Sequence, residues 1–156
     1  MKLRMLPILL LAALAAPAVA QESATTNMEI LRQKIKADKK LVVAANMELT
    51  DAEGKAFWPV YDAYQKDLQQ INERLKNAIV EYADAYNKGP VSNETAKKLL
   101  GETLAIDEAE VKLRQSYVPK LEAVLPEAKA ARYLQIENKI RAAIRYELAG
   151  GIPLVK

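Results

Sequence analysis

Two residue types are missing from this 156-residue chain: it has no cysteine and no histidine. Without cysteine no disulfide can staple the fold, and no thiol is present to carry a lipid at a mature start. Without histidine, the commonest general base and the commonest transition-metal ligand are absent together. Nucleophilic catalysis would then need a serine–lysine or carboxylate pair in a cleft. Ser92 and Ser116 have no such setting, since the first reads as a helix cap and the second as an interior helix position. Glycine is scarce as well: Gly54, Gly89, Gly101, Gly150 and Gly151 fit no phosphate-cradling loop. The expectation is a protein without enzymatic activity, cofactor or metal site.

Strong charge of one sign is also lacking. The 23 basic and 20 acidic residues leave a formal charge of +3, and Lys2 and Arg4 supply two of those positives. The charge is mixed and no aromatic platform accompanies the basic runs, so nucleic acid is not an expected partner. Lys2 and Arg4 precede an apolar run from Leu6 to Ala16, followed by Ala18-Val19-Ala20. That order is the signature of a secretory signal peptide over residues 1–20, cleaved after Ala20. The run is too short for a comfortable membrane span, which takes roughly 20 apolar residues. The chain is therefore expected in the periplasm, with residues 21–156 as a single all-helical domain and no integral membrane segment after signal removal.

What the chain has is helical periodicity. Phe57, Tyr61, Tyr64, Leu68, Ile71, Leu75, Ala78, Tyr82 and Ala85 alternate steps of four and three. Only a helix with a narrow buried seam fits that spacing. Four helices are expected, at about 27–46, 51–87, 93–124 and 126–149. Asn27 caps the first, whose apolar face is Met28, Leu31, Ile35 and Val42. Thr50 with Glu53 forms a capping box for the second, and Asn87-Lys88-Gly89-Pro90 ends it. Ser92 caps the third. Its main stripe is Leu99, Thr103, Ile106, Leu113, Tyr117, Leu121 and Val124, and a flanking stripe at Leu104, Val111, Val118 and Leu125 calls for a second neighbour. Pro126 starts the fourth, with Tyr133, Ile136, Ile140, Ile144 and Leu148 as its apolar face. The apolar tail Ile152-Pro153-Leu154-Val155 is expected to fold back onto the helices.

The short turn at Gly89 makes the second and third helices antiparallel. Pro59 lies 30 residues before it and Pro119 lies 30 after it, so a bend of both helices at one level is expected. The fold class is all-α: an elongated, bent antiparallel hairpin with flanking N- and C-terminal helices. An internal echo accompanies it. Leu49-Thr50-Asp51-Ala52-Glu53 through Phe57 aligns with Leu125-Pro126-Glu127-Ala128-Lys129 through Tyr133.

These two helix starts, in a short exported helical chain, resemble the Spy/CpxP family of periplasmic proteins, known for a repeated Leu-Thr-x-x-Gln motif. Glu53 stands for the glutamine in the first copy; Pro126 and Lys129 replace the threonine and glutamine in the second. The resemblance implies four helices in a long bent hairpin, often dimerised into a cradle. It also implies one of several activities: ATP-independent chaperoning, inhibition of an envelope-stress sensor kinase, or metal sensing. The metal-binding members rely on histidine, which this chain lacks. Asp107, Glu108 and Glu110 lie on a helix without a ligand-gathering loop, so a solvated acidic face is expected there.

The leading expectation is a chaperone-like or envelope-stress protein, a homodimer, that binds unfolded or misfolded exported proteins. The alternatives are a regulatory partner of a sensor kinase's periplasmic domain and a structural envelope protein. Candidate partner-binding residues are Arg32, Lys36, Lys39 and Lys40 on the first helix and Arg132, Lys139, Arg141 and Arg145 on the fourth. Residues 21–47 carry +2 and 126–156 carry +3, against −4 for 48–87. Pairing of these cations with the acidic second helix is the competing use. Trp58 is the remaining candidate, either as a partner anchor or as a plug in helix packing over Gly54.

Overall fold

Thr50 begins the longest helix as its spacing demands. Its hydroxyl accepts from the Glu53 amide (3.3 Å), and the Glu53 carboxylate accepts from the Thr50 amide (2.7 Å), closing the capping box. The structure, a computed structural model, describes residues 38–156. The signal segment with Ala20, the start of the first helix with its apolar residues Met28, Leu31 and Ile35, and the candidates Arg32 and Lys36 lie outside the described residues. The chain divides into two units after Leu41, and the second, Val42–Lys156, carries the architecture that follows.

The described residues are all-α, with four helices and no strand among them. Residues 38–47 are helical (α1). They are followed by α2 (Asp51–Lys88), α3 (Asn93–Glu122) and α4 (Glu127–Gly151). Gly89 closes α2 at φ +137°, a conformation that an L side chain rarely adopts. The antiparallel register of α2 and α3 is fixed by cross-helix pairs nested around that turn. Lys98 bridges Glu81, Arg74 forks onto Glu102 at 2.9 and 3.1 Å, and the Tyr117 hydroxyl donates to Asp67 at 2.6 Å. In this register Pro59 and Pro119 lie at a similar level of the hairpin, each exposed and each inside a continuous helix.

The helix α4 runs parallel to α2 from a common level. Lys129 donates to the Glu53 carboxylate at 2.6 Å and to the Glu48 carbonyl at 2.9 Å. One turn on, the rings of Phe57 and Tyr133 meet edge to face at 5.1 Å. The two halves of the internal echo therefore lie side by side, and their fifth positions form an ion pair. Glu48, between α1 and α2, takes φ +49° and is held there through its carbonyl by Lys129 and through its carboxylate by Arg132.

Two cores result. The first gathers Val43 and Met47 of α1, Phe57, Tyr61, Tyr64 and Leu68 of α2, Tyr117 and Leu121 of α3, Leu125, and Ala130 and Tyr133 of α4. The second, nearer the Gly89 turn, contains Ile71, Ala78, Leu99 and Ile106.

Several faces differ from their sequence expectation. The α1 contact is made by Val43 and Met47, four residues apart, while Val42 is 46% exposed. The Leu41-Val42-Val43 run fits several helical phases, and Met47 decides among them. On α3, Thr103 is exposed and returns its hydroxyl to the Leu99 carbonyl, so it leaves the buried stripe. The flanking stripe is covered only at its C-terminal end: Leu125 is buried and Val118 half-buried, but Val111 is exposed and Leu104 is 60% exposed. The inward line of α4 is Ala130, Tyr133 and Glu137, with Ile136 and Ile140 half-buried beside it and Ile144 exposed. The tail does return to α2, through polar contacts. Tyr82 donates to the Pro153 carbonyl (2.9 Å) and Lys156 sits over the Tyr86 ring, while Leu154 stays exposed.

Candidate partner-binding groove

Because Tyr133 and Glu137 point inward, the line Arg132, Ile136 and Ile140 falls to one side of α4, with Gln135 and Lys139 beside it. Val42 and Asn46 of α1 face this line. Together these residues form an open groove whose floor is apolar and whose rim carries two cations. Asn46 donates to the Val42 carbonyl at 2.8 Å, which tethers its amide to its own helix. Arg132 lies 3.6 Å from the Glu48 carboxylate and remains half-exposed. Lys139 is exposed and has no ion-pair partner among the described residues.

The cationic candidates thus separate. Arg132 and Lys139 line the groove. Arg141 and Arg145 turn to α3 instead. Arg141 donates from Nε to Glu110 at 3.0 Å and from Nη1 to Asn72 of α2 at 2.7 Å, and its Nη2 abuts Glu110 as well. Arg145 bonds Asp107 and reaches Glu110 at 3.2 Å. Internal carboxylates thus engage two of the four α4 candidates: Arg141 is largely buried against Glu110, and Arg145 pairs with Asp107 while staying half-exposed. Lys39 and Lys40 are half-buried on α1. Trp58 is half-buried at the edge of the aromatic core, 5.0 Å from Phe57 and 5.3 Å from Tyr61 between ring centres. A Cβ at Gly54 would stand 3.7 Å from the indole nitrogen, an ordinary van der Waals contact, so the ring does not require glycine at this position.

The acidic group on α3 is likewise corrected from a solvated face. Asp107 and Glu110 receive the two arginines, Glu110 is only 5% exposed, and Glu108 pairs with Lys112 one turn on. Among the described residues no cluster of His, Cys, Asp or Glu is arranged to hold a metal ion.

On the inward side of α4 lies a part-buried polar network that apolar periodicity could not reveal. Gln65 donates to the Glu137 carboxylate at 2.8 Å and to the Tyr133 hydroxyl at 3.2 Å. Burial, and next the Glu137 charge, pushes the Tyr61 and Tyr64 phenols up to about 12 and moves Tyr133 up strongly. Burial, then the hydrogen bond to Asp67, raises Tyr117 to about 12. Arg141 is shifted down by burial and then by the charge of Arg145. The Glu53 carboxyl is held below its usual range, first by Lys129 and then by the Thr50 amide. One sequence signal was available: Tyr133, Glu137, Arg141 and Arg145 recur every four residues, so a charged line shares the helix with the apolar one.

Among the described residues no helix is long and apolar enough to cross a membrane. Comparisons with models of protein families, with curated proteins and with solved structures give no match.

Proposed function

We propose that this chain is an exported, ATP-independent chaperone-like protein that holds unfolded segments of other exported proteins in the α1–α4 groove. The observation that carries this is the groove itself: Val42, Ile136 and Ile140 form an apolar floor, with Arg132 and Lys139 at its edge. Its complement is an extended or helical segment that pairs apolar side chains with aspartate or glutamate. Full burial of an aliphatic side chain contributes about 1.5–3 kcal/mol. The floor is partly covered already, so its few side chains supply less than the ~8 kcal/mol of micromolar affinity. Weak, exchanging, sequence-tolerant binding suits a holding chaperone. The periplasmic assignment rests on Lys2, Arg4, the Leu6–Ala16 run and Ala18-Val19-Ala20. The resemblance to Spy/CpxP proteins supports the same function.

The test is an aggregation assay with two unrelated unfolding proteins, run with the wild-type chain and with Ile140→Asp/Lys139→Glu. Suppression of aggregation for both clients by the wild type, and its loss in the double variant, is the expected result. No protection of either client at equimolar chain would overturn the proposal and favour a dedicated regulator of one folded partner.

A further inference from the structure

The two halves of α4 are held by different forces. Its buried residues are Ala130, Tyr133 and Glu137, and none follows. Beyond that point Ile144 is exposed and Tyr146 projects into solvent. The C-terminal half keeps Ile140 and Leu148 only half-buried, and its hydrogen bonds and ion pairs to the hairpin are few: the arginine clamp on Asp107 and Glu110, the Arg141–Asn72 bond, and the tail contacts at Tyr82 and Tyr86. The clamp borders a small cavity lined by Tyr64, Leu68, Glu110, Arg114, Glu137 and Arg141.

We infer that residues 138–151 form a strap that opens from the α2–α3 hairpin as a unit, with the Glu110–Arg141–Arg145 clamp as its latch. This inference is independent of whether the groove binds clients. Segments with little buried apolar surface open at lower free energy than the core they lie on. An ion pair makes a releasable latch, because charges that leave a buried site regain the hydration they gave up on closing. Opening leaves the base intact, since Phe57, Tyr61, Tyr117 and Tyr133 pack below the clamp. It also frees Arg141 and Arg145 beside Ile140 and Ile144, which lengthens the cationic and apolar face of α4.

Charge removal at the latch should bias the strap open without unfolding the chain. In Glu110→Gln the closed state strands the Arg141 guanidinium, 12% exposed on its side chain, without its carboxylate; opening returns it to water. Hydrogen–deuterium exchange by mass spectrometry tests this on the full chain. In the wild type, peptides covering 142–151 should exchange at least about tenfold faster than peptides covering 57–71. Glu110→Gln should accelerate 138–151 by about a further tenfold or more and leave 57–71 unchanged. If that variant does not fold, Arg145→Gln, which removes only the half-exposed side of the clamp, should accelerate the same peptides severalfold. Equal protection of 142–151 and 57–71 in the wild type would overturn the strap. Acceleration of all helices together in a folded variant would overturn the latch.

Discussion

A single seam on α2 serves two different neighbourhoods. From Phe57 to Leu68 it meets α1, α3 and α4, and its rings interlock edge to face with Tyr133 and Tyr117 at 5.1–5.8 Å. From Ile71 to Ala78 the same four–three spacing finds a small core with Leu99 and Ile106 of α3. There the flanks are closed by exposed or half-exposed pairs, Arg74–Glu102 and Lys98–Glu81. Such pairs hold register and contribute little stability. Periodicity thus fixes which face is buried, and the number of helices that cover it fixes how much that face is worth. Stability is therefore expected to concentrate in the base, and the candidate groove sits on that base.

Truncation of one core side chain in each region tests the contrast most strongly. Tyr133→Ala removes a fully buried ring and its hydrogen bond, and should cost about 3–5 kcal/mol in urea unfolding. Leu99→Ala, at a nearly buried site in the narrower core, should cost about 2 kcal/mol. Equal costs would remove the distinction between the two regions.

Alkaline titration is the next most informative. Unfolded tyrosine ionises near pH ~10, whereas Tyr61, Tyr64 and Tyr117 are held to about 12 and Tyr133 is raised too. The folded state keeps these protons after the unfolded state has lost them. Their stabilisation is complete below pH ~10 and is lost as pH rises through about 12. The tyrosinate absorbance of these four rings should appear together with loss of helix by circular dichroism. Full ionisation with helix content unchanged would contradict the buried network.

The smallest effect belongs to the helix start. Thr50→Ala removes the cap and should cost about 1 kcal/mol. The loss should be equally visible from tryptophan fluorescence and helix content, because Trp58 lies two turns away on the same helix.

Much of this fold was legible in the chain. The α2 boundaries, the Thr50–Glu53 box, the Gly89 turn and the antiparallel pairing all follow from local chemistry that leaves one solution. The echo of the two helix starts also became a contact, Glu53 on Lys129 and Phe57 on Tyr133. The inward line of α4 was legible only in part: Tyr133 belongs to the expected apolar face, but Glu137 and Arg141 occupy positions that apolar counting assigns to solvent. Their burial depends on Gln65, Asn72 and Glu110 from two other helices, which no local pattern encodes. The same cause separated the cationic candidates: Arg132, Lys139, Arg141 and Arg145 look alike in sequence, and their position against carboxylates of other elements buries Arg141 while Arg132 and Arg145 stay half-exposed. The exposed end of the α3 stripe, Leu104 and Val111, marks the reverse case, an apolar pattern without a covering helix.

These two exposed apolar surfaces give the most direct test of the functional claim. A photo-reactive phenylalanine analogue placed at Gln135, in the groove, or at Leu104, on α3, reports which one an unfolded client touches. Cross-links to two unrelated clients from position 135, with few from position 104, are the predicted result. Cross-linking from position 104 that equals or exceeds that from position 135 would contradict the assignment of the groove.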